Sequence, residues 1–400
     1  MNVYLCAPRR SAIGRYGGGL AAVRPDDLLA QVMQATLALC PHLPAEHIDD
    51  IFIGCANQAG EDNRNVGRMA ALLAGIPFSV PATTINRLCG SGMDAIGLAY
   101  RSILTGEADV IMAGGVESMS RAPYVMGKAT HAYNRQQQIE DTTMGWRFIN
   151  PELAKRYGTE TMPQTAENVA ERFNISREEQ DQFAFCSQQK AATAQQNGRF
   201  AQEITPITYT AGRDKQVIID TDEHLRPQTT LAALAKLAPP FKAEGTVTAG
   251  NASGINDGAA VMLVASEAAV ERYQLEPVAQ IKGLATAGVE PSIMGIGPVP
   301  AMQKLLKRNQ LTINDIDLIE LNEAFAAQGL ACLKALDIPY DDKRINPNGG
   351  AIALGHPLGM SGARLLQTAS VQLQQSDSKY AVCSMCIGVG QGIATLLQRV

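Results

Sequence analysis

The sequence predicts an α/β fold of two similar halves, with a long segment inserted in the first. Three observations carry this expectation. Short apolar runs ending in glycine, such as Ile51-Phe52-Ile53-Gly54 and Val110-Ile111-Met112-Ala113-Gly114-Gly115, fit buried parallel strands. Helical patterns alternate with them. Pro25-Asp26-Asp27-Leu28 opens one helix, with proline early and acids in the first turn, and residues Gly92 to Leu104 carry helical apolar spacing. The third observation is a near-constant offset between the two ends of the chain. Ile48-Asp49-Asp50-Ile51 matches Ile316-Asp317-Leu318-Ile319, 268 residues on, and Cys89 pairs with His356 at 267. Asp109-Val110-Ile111 lies opposite Tyr380-Ala381-Val382 at 271. A duplicated βα unit brings equivalent loops together at the carboxyl ends of the strands.

The halves take residues 1–120 with about 246–277, and residues 278–400. Between them the texture changes. Residues 121–245 carry polar loops, a helix start with capping-box chemistry at Ser176-Arg177-Glu178-Glu179, and the cluster Tyr124, Tyr133, Trp146 and Tyr157. This stretch reads as an inserted loop domain that covers the site.

A chain of 400 residues is too long for one core. With 46% hydrophobic and 18% charged residues and 36 glycines, it falls far from the disordered class. The net charge of −5 argues against a nucleic-acid partner. Eight scattered cysteines form no disulfide framework, which suits a reducing compartment. No apolar run is long enough to cross a membrane and the first residues lack a signal-type core. The expectation is a soluble, cytoplasmic protein.

Three glycine-rich turns hold the reactive side chains. They are Asn86-Arg87-Leu88-Cys89-Gly90-Ser91-Gly92, Gly355-His356-Pro357-Leu358-Gly359 and Cys386-Ile387-Gly388-Val389-Gly390. Cys89 precedes a predicted helix, whose amides are expected to lower its pKa. Its flanking glycines favour a nucleophile over an inert buried cysteine. Cys6, Cys40, Cys55, Cys186 and Cys332 lack that setting and read as inert. His356 lies among glycines and prolines, in a loop, where an imidazole can take a thiol proton near neutral pH. A thiol beside a base, with a second thiol nearby, suits carbon–carbon chemistry on a thioester.

Cys383-Ser384-Met385-Cys386 is nominally a redox or metal motif, but no second pair completes a zinc site. In a strand, positions 383 and 386 face opposite ways. Cys386 followed by Gly388 and Gly390 reads better as an acid/base thiol beside exposed amides. Asn322-Glu323-Ala324-Phe325 follows the apolar run Leu318–Leu321, so Asn322 is either a site residue or a helix cap. The loop from Thr246 to Gly258, with Ser253, suits an extended amide-bearing ligand or is a plain turn.

At these residues the chain resembles the thiolases. The motifs are Asn86–Gly92, Ala113-Gly114-Gly115-Val116-Glu117-Ser118-Met119-Ser120, Asn251-Ala252-Ser253-Gly254, Asn322–Phe325, Gly355-His356-Pro357 and Cys386-Ile387-Gly388. The resemblance runs essentially end to end and implies a thiolase-like, duplicated five-layer αβαβα sandwich. It implies that Cys89 becomes acylated, that His356 activates it, and that Cys386 moves the proton at the acetyl carbon. Asn322 would hold a water that forms one oxyanion hole with His356, and the amides of Cys89 and Gly388 would form the other. Coenzyme A contacts would fall on Met162, Arg226, Ser253 and Met294, with Phe325 beside them. Thr161 departs from the histidine that some members carry there. Coenzyme A and acyl-CoA are then substrates, no metal or organic cofactor is needed, and the assembly is a homotetramer built as a dimer of dimers.

Within the family, Arg121-Ala122-Pro123-Tyr124-Val125-Met126-Gly127-Lys128 and Asp141–Pro151 resemble members acting on 3-oxoadipyl-CoA in aromatic-compound breakdown. That substrate ends in a carboxylate, which needs a cation or hydrogen-bond donors. Arg121, Lys128, His131, Arg135 and Arg147 all lie in the insertion, and the sequence does not choose among them. The competing functions are an acetyl-CoA acetyltransferase, a general 3-ketoacyl-CoA thiolase and a non-catalytic acyl-CoA binder. Decarboxylating ketoacyl synthesis is disfavoured, because it uses a cysteine with two histidines.

Overall fold

The computed structural model describes all 400 residues. In the first half the chain forms β1 (Val3–Arg10), α1 (Pro25–Ala38), β2 (Asp50–Gly54), α2 (Val66–Leu73), β3 (Thr83–Ile85), α3 (Ser91–Leu104) and β4 (Val110–Ser118). Two helices of the intervening stretch matter for the site: α4 (Met162–Phe173) and α5 (Arg177–Gln196). Then follow β5 (Asn256–Ser266), β6 (Pro277–Gly288), α6 (Pro298–Arg308), β7 (Leu318–Leu321), α7 (Ala326–Ala335), α8 (Leu358–Gln374), β8 (Tyr380–Ile387) and β9 (Gln391–Gln398).

The strands join in the order β7-β8-β9-β6-β1-β5-β4-β2-β3, with the short strand Gly14–Arg15 beside β5. The order mirrors itself about the antiparallel pair β1·β6, where Tyr4 faces Gln280 and Leu5 faces Ala279. On each side, one parallel pairing (β2·β4, β7·β8) and one antiparallel pairing (β4·β5, β8·β9) recur in the same sequence order. The duplication predicted from the offset is therefore present. The two halves share one hydrogen-bonded ladder where β1 meets β6.

Five layers follow from the contacts. Helices α1 and α2 cover the outer face of the first half, and α6 and α7 cover the second. Helices α3 and α8 lie between the halves, packed on each other and on strands of both. Three apolar cores fill the layers, and Ile96, Met262 and Leu366 belong to the middle one. Leu28, Ile51 and Val261 belong to the first outer core, and Met302, Leu321 and Leu330 to the second. Strands β4 and β5 are buried along their whole length, which explains their unbroken apolar character.

The middle layer is thin because glycine makes it so. A Cβ on Gly115 of β4 or on Gly92 of α3 would strike the carbonyl of Gly359 in α8. The backbones of α3, α8 and β4 thus meet without intervening side chains.

Between β4 and β5 the chain adds no strand to the large sheet. It makes two small ribbons, Tyr124–Met126 with Ile139–Asp141 and Ile207–Ala211 with Lys215–Ile219. A buried cluster ties it down. Arg10 of β1 pairs with Glu203 at 2.9 Å and with Asp222 at 2.8 Å, and Arg199 reaches Glu203 at 2.7 Å. Removing one partner of such a cluster strands a buried charge. Helix α5 starts at a capping box, Ser176 with Glu179, as its sequence predicts. No helix is long and apolar enough to cross a membrane.

Gly115→Ala is expected to lower the thermal unfolding midpoint, with an overpacking cost of about 1–3 kcal/mol. An unchanged midpoint in calorimetry would show that the α8 turn can move away freely.

Candidate active site

Both central helices begin with a reactive turn. Cys89 sits two residues before α3, and His356 two residues before α8. Because α3 and α8 pack together, their N-terminal turns share one end of the middle layer.

The nucleophile turn is held tightly. Leu88 takes a left-handed conformation (φ 48°), which is strained for a branched side chain. Asn86 Oδ1 accepts from Leu88 N at 2.9 Å, and Asn86 Nδ2 donates to Ala56 O at 2.9 Å. The Ser91 hydroxyl donates to Leu88 O at 2.6 Å and accepts from Arg87 N at 2.8 Å. Cys89 itself remains partly open while its neighbours Gly90 and Ser91 are buried. The amides of Gly388 and Cys89 are directed at its thiol and favour the thiolate. Burial outweighs them, and the nearby carboxyl of Glu117 adds to it, so the thiol is pushed up to about 11. The helix start therefore does not lower this pKa in the resting site, contrary to the expectation from sequence. Desolvation of the turn is the larger effect.

His356 is buried and its orientation is set by three bonds. Its amide donates to Asn256 Oδ1 at 2.9 Å. Gly355 before it has φ 107°, a conformation suited to glycine, and packs on Asn256. His356 Nδ1 meets Ser361 Oγ at 2.6 Å, while the Ser361 hydroxyl donates to Pro357 O at 2.8 Å. With its proton spent on Pro357, Ser361 accepts from Nδ1–H, so the bare nitrogen of the neutral ring is Nε2. Asn322 Nδ2 lies 3.5 Å from that nitrogen. Burial, with Arg364 adding to it, pulls His356 down to about 4. The imidazole is a neutral base at physiological pH.

Asn322 follows β7, and helix α7 starts only at Ala326, with Phe325 in the N-cap position and no side-chain cap. Asn322 is thus not the helix cap, and its side chain turns to the His356 ring. Its Oδ1 is buried without a protein partner, so it offers an acceptor to a ligand or a water.

Cys386 lies near the end of β8, with Gly388 at the start of the turn to β9. Val389 (φ 61°) and Gly390 (φ 76°) close that turn. Burial pushes the Cys386 thiol well above the ordinary range, and the nearby Cys89 and Cys332 add to the shift. Cys383 faces the central core and donates to Leu365 O, whereas Cys386 belongs to a separate small cluster. The strand period separates these two cysteines, as expected.

That small cluster gathers Cys386, Met294, Phe325, Ala252 and Val247, with Met162 against it. Met162 Sδ approaches the position a Cβ on Gly388 would take, at 3.7 Å. Ser253 N donates to Ala324 O at 2.9 Å, and Ala326 N donates to Asn251 O at 2.8 Å. The loop 246–254 is thereby laid along residues 322–326. His224 stacks on Gly254, where no Cβ intervenes, and burial pulls it down to about 4, with Arg226 lowering it further. Arg226 is exposed and lies outermost, its amide bound to Gln188 Oε1. From Cys386 the contacts thus pass through Phe325 and the 246–254 loop to His224, two residues from the exposed Arg226.

Sequence reading did not assign Ser361 or Glu117. Ser361 could have been suspected from its place one helical turn beyond Pro357. Glu117 is an acid at the end of an apolar strand, buried, with Oε2 accepting from Ala56 N (2.9 Å) and Gly359 N (2.8 Å). Its Oε1 accepts from Asn57 N at 3.1 Å. Burial nonetheless pushes its carboxyl up to about 7. Cys55, Asp62 and Glu117 bring ligand-type atoms within 4.8 Å of one another, but the amides already occupy both Glu117 oxygens.

The candidate cations of the insertion separate clearly. Arg121 is paired with Glu61 at 2.5 Å. Lys128, His131 and Arg135 are exposed. Arg147 is partly buried and reaches Asn57 Oδ1 at 3.3 Å and Asn57 O at 3.4 Å.

An α/β sandwich whose two halves contribute two thiols and a histidine to one end of their shared layer defines an acyl-transferring thiol enzyme. Residues 3–268 match the thiolase N-terminal domain model and residues 275–399 the thiolase C-terminal domain model. The chain belongs to the thiolase family. It is 62% identical, over the full length of both chains, to the beta-ketoadipyl-CoA thiolase of Acinetobacter baylyi. It is 58% identical, again over the full length of both chains, to the 3-oxoadipyl-CoA/3-oxo-5,6-dehydrosuberyl-CoA thiolase of Escherichia coli strain K12. Among solved structures, human mitochondrial 3-ketoacyl-CoA thiolase superposes with a TM-score of 0.92 at 42% identity, covering 100% of this chain and 99% of that one. The Bacillus anthracis acetyl-CoA acetyltransferase gives 0.92 at 39% identity with the same coverage.

Ser361→Ala is expected to lower kcat by roughly 10- to 100-fold, the loss of one hydrogen bond to a ring that becomes charged. In the parent enzyme, protonation of His356 is expected to bring an acid limb near pH 4, well below the 6.5 of a free imidazole. A pH profile of kcat/KM with its acid limb at 6.5 would contradict the buried neutral ring.

Proposed function

We propose that the protein cleaves 3-oxoadipyl-CoA with coenzyme A to give succinyl-CoA and acetyl-CoA, in the degradation of aromatic compounds. The observation that supports this reading is two thiols close enough to shift one another, with a neutral histidine on the adjoining helix start whose unprotonated Nε2 meets only the Asn322 amide, at 3.5 Å. The full-length likeness to thiolases named for 3-oxoadipyl substrates supports the choice of acyl chain.

The chemistry follows from where the protons rest. Cys89 carries its proton, His356 does not, and Cys386 holds its proton firmly. His356 Nε2 takes the Cys89 proton as the sulfur attacks the 3-oxo carbon. The oxyanion formed there is met by the Asn322 side of the site. The bond between C2 and C3 breaks, and its electron pair leaves as the enolate of acetyl-CoA. Cys386 gives that carbon its proton and becomes a thiolate. A thiol kept neutral by burial is suited to this step, because it yields its proton only to a strong base such as the enolate.

Cys386 then takes the proton of incoming coenzyme A. The coenzyme A thiolate attacks the succinyl group on Cys89, and the oxyanion forms beside the amides of Gly388 and Cys89. Collapse expels the Cys89 thiolate, which recovers its proton from His356. Cys89 recovers its own proton, Cys386 replaces the proton it gave to acetyl-CoA with that of coenzyme A, and no redox agent is consumed.

Met162, Met294 and Phe325 give the acyl and pantetheine portions an apolar wall, Ser253 lies on the loop beside it, and Arg226 stands where a nucleotide phosphate would arrive. The same proposal includes a cytoplasmic homotetramer, a dimer of dimers, that needs neither metal nor organic cofactor. Tyr124, Met126, Tyr133 and Ile139 expose apolar side chains on or beside the ribbon of the insertion, a surface that assembly would cover. Sedimentation at micromolar concentration tests the assembly.

Cys89→Ser is expected to lose acyl-enzyme formation, since an alcohol is far less ionised than a thiol. Mass measurement after mixing with 3-oxoadipyl-CoA should show a succinyl adduct on the parent enzyme and none on the variant. Cys386→Ala should slow cleavage while Cys89 still reacts with iodoacetamide. The substrate assignment is checked by kcat/KM for 3-oxoadipyl-CoA against acetoacetyl-CoA. A preference for acetoacetyl-CoA would overturn the assignment and leave the thiolase chemistry standing.

A further inference from the structure

We propose that Arg147 is the cation that receives the distal carboxylate of the acyl chain and so sets the preference for a dicarboxylic substrate. This rests on the 3-oxoadipyl-CoA reading above and assigns to one residue the selectivity which that reading requires.

The first support is distance along the substrate. The carbon attacked by Cys89 and the terminal carboxylate carbon are separated by three carbon–carbon bonds of about 1.5 Å each. The group that receives the carboxylate must therefore lie in the shell of residues that touches the nucleophile turn. It cannot lie out on the protein surface.

The second is the anchoring of the segment that carries Arg147. Residues 142–147 are strung between two loops. On one side, Asn57 Nδ2 donates to Thr142 O at 3.1 Å and to Thr142 Oγ1 at 3.2 Å, and Arg147 Nη2 reaches back to Asn57. On the other, Trp146 Nε1 donates to Glu160 O at 3.3 Å, two residues before Met162. The first loop touches the nucleophile turn, where Ala56 O accepts from Asn86, three residues before Cys89. The second leads into Met162, which borders Gly388 as Leu88 of that turn does. Arg147 is therefore bracketed by the supports of Cys89.

The third support is elimination by pairing. Among the cations of the nucleophile turn and of residues 121–160, only Arg87, Arg121 and Arg147 are partly buried. Arg87 is held by Asp94 at 2.7 Å, and Arg121 by Glu61. Lys128, His131 and Arg135 are exposed on the loop that precedes the segment. Arg147 has no acidic partner. It uses a single nitrogen, at the long distances of 3.3 and 3.4 Å, and keeps its other N–H groups for a carboxylate. A guanidinium can take that carboxylate through two parallel hydrogen bonds, which a lysine cannot match.

The test compares two substrates of equal chain length, 3-oxoadipyl-CoA and 3-oxohexanoyl-CoA, which ends in a methyl group. For the parent enzyme kcat/KM should favour 3-oxoadipyl-CoA. In Arg147→Gln the ratio of the two kcat/KM values should fall by roughly 10- to 100-fold, the loss of a charge-assisted pair. The change should appear in KM more than in kcat. Arg147→Lys should recover part of the ratio. A thermal unfolding midpoint equal to the parent's confirms that each variant is folded. An equal fall for both substrates, or an unchanged ratio, overturns the assignment of Arg147. A parent enzyme that prefers 3-oxohexanoyl-CoA overturns the 3-oxoadipyl-CoA reading itself, and the inference with it.

Discussion

The buried carboxylate of Glu117 is the tie on which the site depends. It stands at the end of β4 and accepts from the amides of Ala56 and Asn57, in the loop after β2, and from Gly359 in the first turn of α8. The first two belong to the half that carries Cys89, and the third to the half that carries His356. One side chain thus fixes the separation of the two reactive turns. Glycines allow this closeness, since Gly92 and Gly115 admit the Gly359 carbonyl where any side chain would push it away. The tie has a chemical consequence. A carboxylate this near the nucleophile, inside a dry layer, works against a resting thiolate, and the Cys89 thiol stays protonated.

A site with every reactive group neutral at rest differs from one built on a preformed ion pair. His356 is held uncharged by burial and by the nearby Arg364, and both thiols keep their protons. Charge appears only when substrate arrives, and it appears where donors are already aimed. The amides of Gly388 and Cys89 point at the thiol from the start, so they need no rearrangement to meet an oxyanion on the carbon bonded to it. Ser361 keeps the His356 ring in the tautomer that presents Nε2, and it can do so only because its own proton goes to Pro357.

The features that could be read from sequence are the local ones. The offset of 267 to 271 residues disclosed the duplication, because corresponding strands and helices of the two halves repeat the same local patterns. The turns around Cys89, His356 and Cys386 stood out because glycine clusters mark backbone that must pass close to something else. The alternating faces of a strand separated Cys383 from Cys386 correctly. What failed to show depends on partners far along the chain. Glu117 reaches an amide 242 residues away, and no local pattern announces that. The thiol pKa went wrong for the same reason. A helix start read locally favours the thiolate, but the burial that dominates comes from elements folded over the turn. Asn322 stayed ambiguous until the start of α7 at Ala326 removed the capping alternative.

The division between halves and insertion also explains why charge in the insertion could not be interpreted from sequence. Arg121, Lys128, His131, Arg135 and Arg147 all lie in its first part, and residue type alone does not say which would meet a carboxylate. Their roles differ because of acids elsewhere: Glu61, from the loop before α2, occupies Arg121, and no acid occupies Arg147. The insertion adds no strand to the large sheet and is fastened at separate points, the Arg10 cluster at one end and Asn57 at the other. The atoms that move protons all belong to the duplicated halves, held by Glu117 and the glycine contacts. Residues that meet the far end of the acyl chain can therefore change in the insertion without altering the spacing of Cys89, His356 and Cys386. Separate fastening would let one catalytic frame serve acyl chains with different ends, since the proposed carboxylate partner Arg147 lies in a segment apart from Cys89, His356 and Cys386.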